Sequence, residues 1–162
     1  MSCFVAGTKV TMADGSHKNI EDIVKGDRVC TYNFETSELE SNNVTEVLTK
    51  LNSGKNDDYT VIVNFNNGST NHNTNSHPYY VKGKGWSSYR PDITFSTHGL
   101  DVELLEVGDV VFELTSDRTL NEITVTSIEE YREPIAVYNL SKVENNHNFF
   151  ANNILVHNKF AF

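Results

Sequence analysis

Cys3, close to the start of the chain, and the pair His157-Asn158, close to its end, are the side chains with the most reactive chemistry within reach. A thiol can attack the carbonyl carbon of the residue before it, which converts the Ser2-Cys3 amide into a thioester. A primary amide can attack its own backbone carbonyl, which closes a succinimide at Asn158 and expels the amine of Lys159. Both reactions are intramolecular, so holding the groups in place supplies much of the rate. Both also need a proton for the departing nitrogen and stabilisation of a tetrahedral oxyanion. Imidazoles are the natural proton carriers near neutral pH. Three further residues are suggestively spaced: Thr74 and His77, just ahead of Pro78-Tyr79-Tyr80-Val81, and His147, ten residues before His157. Singly, each has a plainer reading. A Thr or His in a loop is usually a surface residue or a turn cap, and a lone Cys usually a buried apolar filler.

These groups share a site only if the chain brings its ends together, and strands dominate what lies between them. Tyr59 to Phe65 is β-branched and aromatic, and Asn66-Asn67-Gly68 after it reads as a hairpin turn. Asn121 to Ile128 and Ile135 to Leu140 are further strands, and Cys30 is a structural residue within another. Phe149 to Asn153 followed by Ile154-Leu155-Val156 predicts a closing hairpin that would return His147 beside His157. Ile20 to Lys25 and Val102 to Val107 predict short helical turns, and Phe112 to Glu122 a surface loop. The expected class is all-β, mainly antiparallel, with many short strands. Ile20 to Val29 also resembles Val102 to Val111: each has an apolar residue six positions before Gly26-Asp27 or Gly108-Asp109, and a valine two positions after the aspartate. A single Gly-Asp turn would mean little. Two, each followed by a β-rich segment (Val44 to Val47, Ile123 to Val125), predict an internal duplication with a pseudo-two-fold axis.

The bulk properties narrow the partners. One compact domain accounts for 162 residues. A formal charge of -9 argues against a nucleic-acid partner, which wants a basic face. No apolar run approaches the ~20 residues of a membrane span. Cys3 and Cys30 are the only cysteines, so a disulfide framework is not implied, and a cytoplasmic or other reducing compartment is expected. His72 and His77 with distant Cys3 lack the tight paired spacing of a structural zinc site, so no metal and no cofactor are expected. The asparagine clusters, such as those between Asn64 and Asn75, are read as compositional.

Cys3-Phe4-Val5-Ala6-Gly7-Thr8-Lys9-Val10 resembles the first motif of inteins and other Hint domains. Thr74-Asn75-Ser76-His77-Pro78 resembles their second motif. Val137-Tyr138-Asn139-Leu140 through His147-Asn148-Phe149, then Phe150 through His157-Asn158, is similar to their two C-terminal motifs. The resemblance runs from Cys3 to Asn158 with four motifs in order. It implies a Hint horseshoe over 3–158, with 1–2 and 159–162 as stubs of flanking polypeptide. It also implies autocatalytic processing: Cys3 makes the acyl shift assisted by Thr74 and His77, and Asn158 cyclises assisted by His147 and His157. The substrates would be the domain's own flanks, and a monomer suffices. The chain departs from the splicing pattern in three ways. Lys159 stands where a splicing intein has Cys, Ser or Thr, as in bacterial-intein-like domains that mainly cleave their flanks. Asn139 replaces the usual aspartate of the penultimate motif, and Leu140-Ser141-Lys142-Val143 makes the link to His147 one residue longer. The alternatives are hedgehog-type autoprocessing, which needs no terminal asparagine, and an inactive β binding module.

Overall fold

A computed structural model describes residues 2–158 of the chain; Lys159 and both expected stubs, apart from Ser2, lie outside the described residues. In chain order the strands are β1 (Phe4–Val5), β2 (Lys9–Thr11), β3 (His17–Asn19), β4 (Arg28–Asn33), β5 (Glu38–Asn52), β6 (Thr60–Phe65), β7 (Thr70–Thr74) and β8 (Tyr79–Val81). There follow β9 (Gly85–Ser88), β10 (Glu103–Leu104), β11 (Val110–Leu114), β12 (Leu120–Tyr131), β13 (Ile135–Val143), β14 (Asn148–Ala151) and β15 (Ile154–His157). One helix, α1 (Pro91–His98), and one 3-10 turn, Ile20–Asp22, complete the described elements. The strands join in a single sheet that is antiparallel except where β10 runs parallel to β9. Burial alternates along strands such as β6, and the inward residues of many strands (Phe4, Val10, Val29, Val63, Tyr79, Val156) form one continuous core.

The expected duplication is present down to individual hydrogen bonds. The Gly26 N–H donates to the Val44 carbonyl at 2.8 Å and the Val44 N–H to that of Asp27 at 2.8 Å. Gly108, Val125 and Asp109 repeat this at 2.8 and 2.9 Å. Both glycines have φ of +96°, which is why the motif needs Gly. The Asp27 carboxylate accepts from the Val24 N–H and from Lys18; the Asp109 carboxylate accepts from the Glu106 N–H and from Lys84. Each unit continues into a hairpin, β4–β5 or β11–β12, with one long strand. The far half of β5 then pairs with β13, and that of β12 with β6, so each repeat's long strand completes the other repeat. Interlacing of this kind builds a pseudo-two-fold Hint-type horseshoe and carries β1 in between β7 and β13.

The predicted strands and hairpins are found where expected, with Cys30 buried in β4. Other expectations are corrected. Ile20 to Lys25 gives only the 3-10 turn, and Val102 to Val107 is not a helical turn: β10 is drawn into pairing with β9, a tertiary partner that local sequence does not announce. Phe112 to Glu122 is not a loop but most of the β11–β12 hairpin, since its residues pair in register from Phe112 with Glu122 to Leu114 with Leu120. Helix α1 was not anticipated, although Pro91 at its first position and Gly99 just past its end are the usual start and stop signals. Two asparagines outside the Asn64 to Asn75 clusters have a structural role. Asn152 and Asn153 take the positive φ of a two-residue hairpin turn between β14 and β15, and the Asn152 side chain ties that turn to Lys9 and Asn71.

Candidate active site

The site forms where four elements meet: the entrance of β1, the segment leaving β7, the middle of β13 and the end of β15. Phe4 pairs with Tyr138 on one side and Asn73 on the other. Extending those registers by one residue sets Cys3 between Asn139 and Thr74. Directly opposed residues present their side chains on one face of a sheet, so these three share a face. Cys3 is fully buried. Its N–H donates to the Thr74 hydroxyl at 2.9 Å, while the Thr74 N–H donates to the Cys3 carbonyl at 2.9 Å. Thr74 thus grips the nitrogen that a thioester-forming step would release.

His77 lies fully buried with its ring edge-on to Phe4, 4.3 Å between centroids. Its Nε2 is 2.8 Å from the carbonyl oxygen of His157. A carbonyl only accepts, so Nε2 carries the proton and, in a neutral ring, Nδ1 is left as a lone pair. Burial pushes the His77 pKa down to about 3, so the ring is neutral near pH 7. Nδ1 has no hydrogen-bond partner among the described residues, which makes it a buried base. His77 was expected on the upstream amide; its observed bond runs to the downstream strand and links the two ends of the chain.

At the other end, β14 and β15 pair Asn148 with His157, and the hairpin does return His147 beside the terminus. The contact is through backbone: the Asn158 N–H donates to the His147 carbonyl at 3.0 Å, while the His147 side chain is half-buried. His157 packs edge-on against Trp86 at 4.7 Å. Burial lowers its pKa to about 3, and a hydrogen bond with the Asn158 backbone works in the opposite direction. Asn158 is fully buried, and its Nδ2 donates to the carbonyls of Leu140 at 3.3 Å and Ser141 at 3.2 Å.

Those two carbonyls lie where the pairing of β13 with β5 is irregular. Between the pairs Asn139–Leu48 and Lys142–Glu46, Leu140 and Ser141 face Val47 alone. The register is restored at once, since Val143 pairs with Val44, so both strands are irregular here, and within that irregularity the two carbonyls accept from Asn158. Asn139, just before the irregularity, is buried, and neither polar atom of its side chain has a hydrogen-bond partner among the described residues. Such an orphan costs about 1–3 kcal/mol, so the fold tolerates Asn139 rather than being stabilised by it. Unforeseen from the sequence were Trp86 against His157, and a cluster of Ser2, Ser76 and His98 beside Cys3. Adjacency to Cys3 and His77 was the available signal for Ser2 and Ser76. Nothing local marks Trp86 or His98. His72, considered earlier as a metal ligand, bonds Thr60 at 2.7 Å and packs on Tyr131.

Several comparisons bear on this architecture. A family model described as Ataxin-1 and HBP1 module (AXH) matches residues 4–116. HMG box-containing protein 1 of Homo sapiens and of Mus musculus is 50% identical over 34 residues, which is 21% of this chain and only 7% of either relative's length. Among solved structures, a DnaB intein from Synechocystis sp. PCC 6803 superposes with a TM-score of 0.77 at 21% identity, covering 99% of this chain and 100% of that one. A bacterial intein-like domain from Clostridium thermocellum gives 0.76 at 28% identity, covering 98% of this chain and 99% of that one. The chain is a Hint/intein-like domain in its fold.

Proposed function

The chain belongs to the Ataxin-1 and HBP1 module (AXH) family, and from its Hint/intein-like fold and the site above we propose that it processes itself, breaking the peptide bonds at its own two ends. The observation that carries this reading is the convergence of both junctions on one buried site, Thr74 on the Cys3 nitrogen and His77 on the His157 carbonyl. In the first reaction the Cys3 sulfur attacks the Ser2 carbonyl carbon, the C–N bond breaks, and the thiol proton passes to the departing Cys3 amine. His77 Nδ1 is the base suited to carry that proton. The Thr74 hydroxyl accepts from Cys3 N–H, a bond that strengthens as that nitrogen becomes ammonium-like.

In the second reaction Asn158 Nδ2 attacks the Asn158 carbonyl carbon, the bond to Lys159 breaks, and Nδ2 yields a proton as the amine of Lys159 gains one. The Leu140 and Ser141 carbonyls, already accepting from Nδ2, draw density toward it and favour that loss. The neutral His157 ring polarises the attacked carbonyl, and the His147 backbone holds Asn158 in place. The flanking polypeptides are the substrates, a monomer suffices, no cofactor enters, and a reducing compartment would keep Cys3 a thiol. Because Lys159 cannot hold an acyl group as an ester, cleavage of the flanks dominates over their ligation.

The second reading is an inert β module, favoured by the unsatisfied Asn139 and by an AXH match that stops at residue 116, short of Asn158. Incubation of a precursor with a reporter protein on each side, with and without added thiol, separates the readings. Self-processing gives thiol-dependent release of the upstream reporter and spontaneous release of the downstream one. Cys3→Ala should abolish the first and leave the second largely intact. Two intact junctions after prolonged incubation of a folded precursor would establish the inert module.

A further inference from the structure

Ser2, the residue whose carbonyl Cys3 would attack, is itself buried, with 2% of its surface exposed. Its hydroxyl lies 3.0 Å from His98 Nε2 and 3.3 Å from the Ser76 carbonyl. The carbonyl must accept, so the consistent arrangement has the hydroxyl donating to Ser76 and receiving from His98 Nε2–H. Helix α1 delivers His98 to that spot. Thr94 anchors the helix by donating to the same Ser76 carbonyl at 2.8 Å and by bonding the Ser88 hydroxyl at 2.7 Å. Ser76 Oγ, buried beside them, has no hydrogen-bond partner among the described residues. The segment Thr74 to Ser76 also lines a cleft of about 500 Å³ together with Ile93, Ser96 and Thr97 of α1 and residues between Lys50 and Asp58.

We propose that His98 and the Ser76 carbonyl form a subsite for the residue immediately upstream of the nucleophile, selecting a small hydroxyl side chain there. This rests on the self-processing reading. A side chain held at both its donor and its acceptor fixes the orientation of its own carbonyl, and a fixed carbonyl beside a fixed thiol is what an intramolecular attack requires. A residue without a hydroxyl would leave His98 Nε2–H facing an apolar group in a buried site, the situation that rejects analogues lacking a hydrogen-bonding group. Helix α1 is then a recognition element for the upstream flank.

The test is the rate of thiol-induced upstream release from the two-reporter precursor, with downstream release recorded in the same tube as a control for folding. Ser2→Ala and His98→Leu should each slow upstream release about tenfold, the scale of a buried group left unpaired. His98→Gln, which keeps a donor, should recover to within about threefold of the unsubstituted rate, and the Ser2→Ala/His98→Leu pair should be no slower than either single variant. Unsubstituted rates in Ser2→Ala or His98→Leu would overturn the subsite, as would single effects that multiply in the double variant. If His98→Leu loses downstream release as well, the comparison of Ser2→Ala in the parent and in the His98→Gln background decides instead. Absence of upstream release from the unsubstituted precursor would defeat the self-processing reading, and the subsite with it. Normal release indifferent to Ser2 and His98 would defeat the subsite alone.

Discussion

A thiol and a primary amide are weak reagents toward a peptide bond, and under the proposed self-processing the groups around Cys3 and Asn158 must compensate for that weakness. Asn139 is where the compensation is incomplete. It shares a sheet face with Cys3 and adjoins the carbonyls that hold Asn158, yet its amide neither finds a partner nor exchanges a proton. A carboxyl buried there would have its pKa raised by desolvation and could carry a proton between the two junctions. Asn139→Asp should therefore quicken downstream release, within the ~10²-fold typical of one general acid or base. Timed loss of the downstream reporter at several pH values measures this, and an unchanged rate in a folded variant would shift attention to the irregular pairing of β13. Lys159 limits the outcome differently, through what its side chain cannot accept. Lys159→Cys offers a thiol to the acyl group on Cys3 before Asn158 cyclises, and ligated reporters should rise relative to the parent. Continued yield of cleaved products alone, by mass spectrometry, would show that the flanks never align.

Among the elements, the connections that follow the two long strands carry a packing constraint as well as a path. Gly54, after β5, lies against the segment that follows β12: a side-chain carbon at Gly54 would stand 2.6 Å from the Arg132 carbonyl group and 2.7 Å from Glu133. It also has φ of +77°. Gly26 shares the positive φ, but a carbon there meets nothing within 4 Å. Gly26→Ala should then cost about 1 kcal/mol, for backbone strain alone. Gly54→Ala should cost roughly 1–3 kcal/mol more, because two backbones must separate to admit the methyl group. Urea midpoints of the two variants give the comparison directly, and equal losses would mean that these connections part easily.

For the molecule as a whole, the crossed pairings β5–β13 and β12–β6 mean that neither repeat completes its sheet alone, and both ends of the candidate site are held by that closure. The buried histidines make the closed state sensitive to acid. His77 and His157 have pKa values lowered from 6.5 to about 3, so the folded protein keeps them neutral where the unfolded chain protonates them. The stability they contribute is complete above about pH 6.5 and is lost progressively as pH falls toward 3. Each should remove roughly 1.4 kcal/mol per pH unit across that window. Denaturant titrations between pH 7.5 and 4.5 should show the midpoint falling, and His77→Phe should flatten the slope even if it lowers the plateau. A midpoint constant down to pH 4.5 would mean that these rings are not held neutral.

What could be read without coordinates was whatever is written locally or symmetrically: β-branched runs, the Asn66-Asn67-Gly68 turn, the closing hairpin, and the Gly-Asp repeat whose positive φ only glycine takes at little cost. Spacing along the chain raised Cys3, Thr74, His77, His147, His157 and Asn158 singly, and the resemblance to Hint domains joined them as one candidate set. Tertiary structure decided the rest, because it depends on contacts between residues far apart in sequence. The pairing of β10 with β9 overrode a helical pattern. The irregular pairing of β13 with β5 around Leu140 and Ser141, where Asn158 finds its two carbonyl acceptors, depends on both strands at once. His98 and Ser2 are 96 positions apart, and no local periodicity marks either of them. Their contact exists because α1 is pinned by Thr94 to the same carbonyl that receives the Ser2 hydroxyl, an arrangement that forms only once the ends of the chain have been brought together.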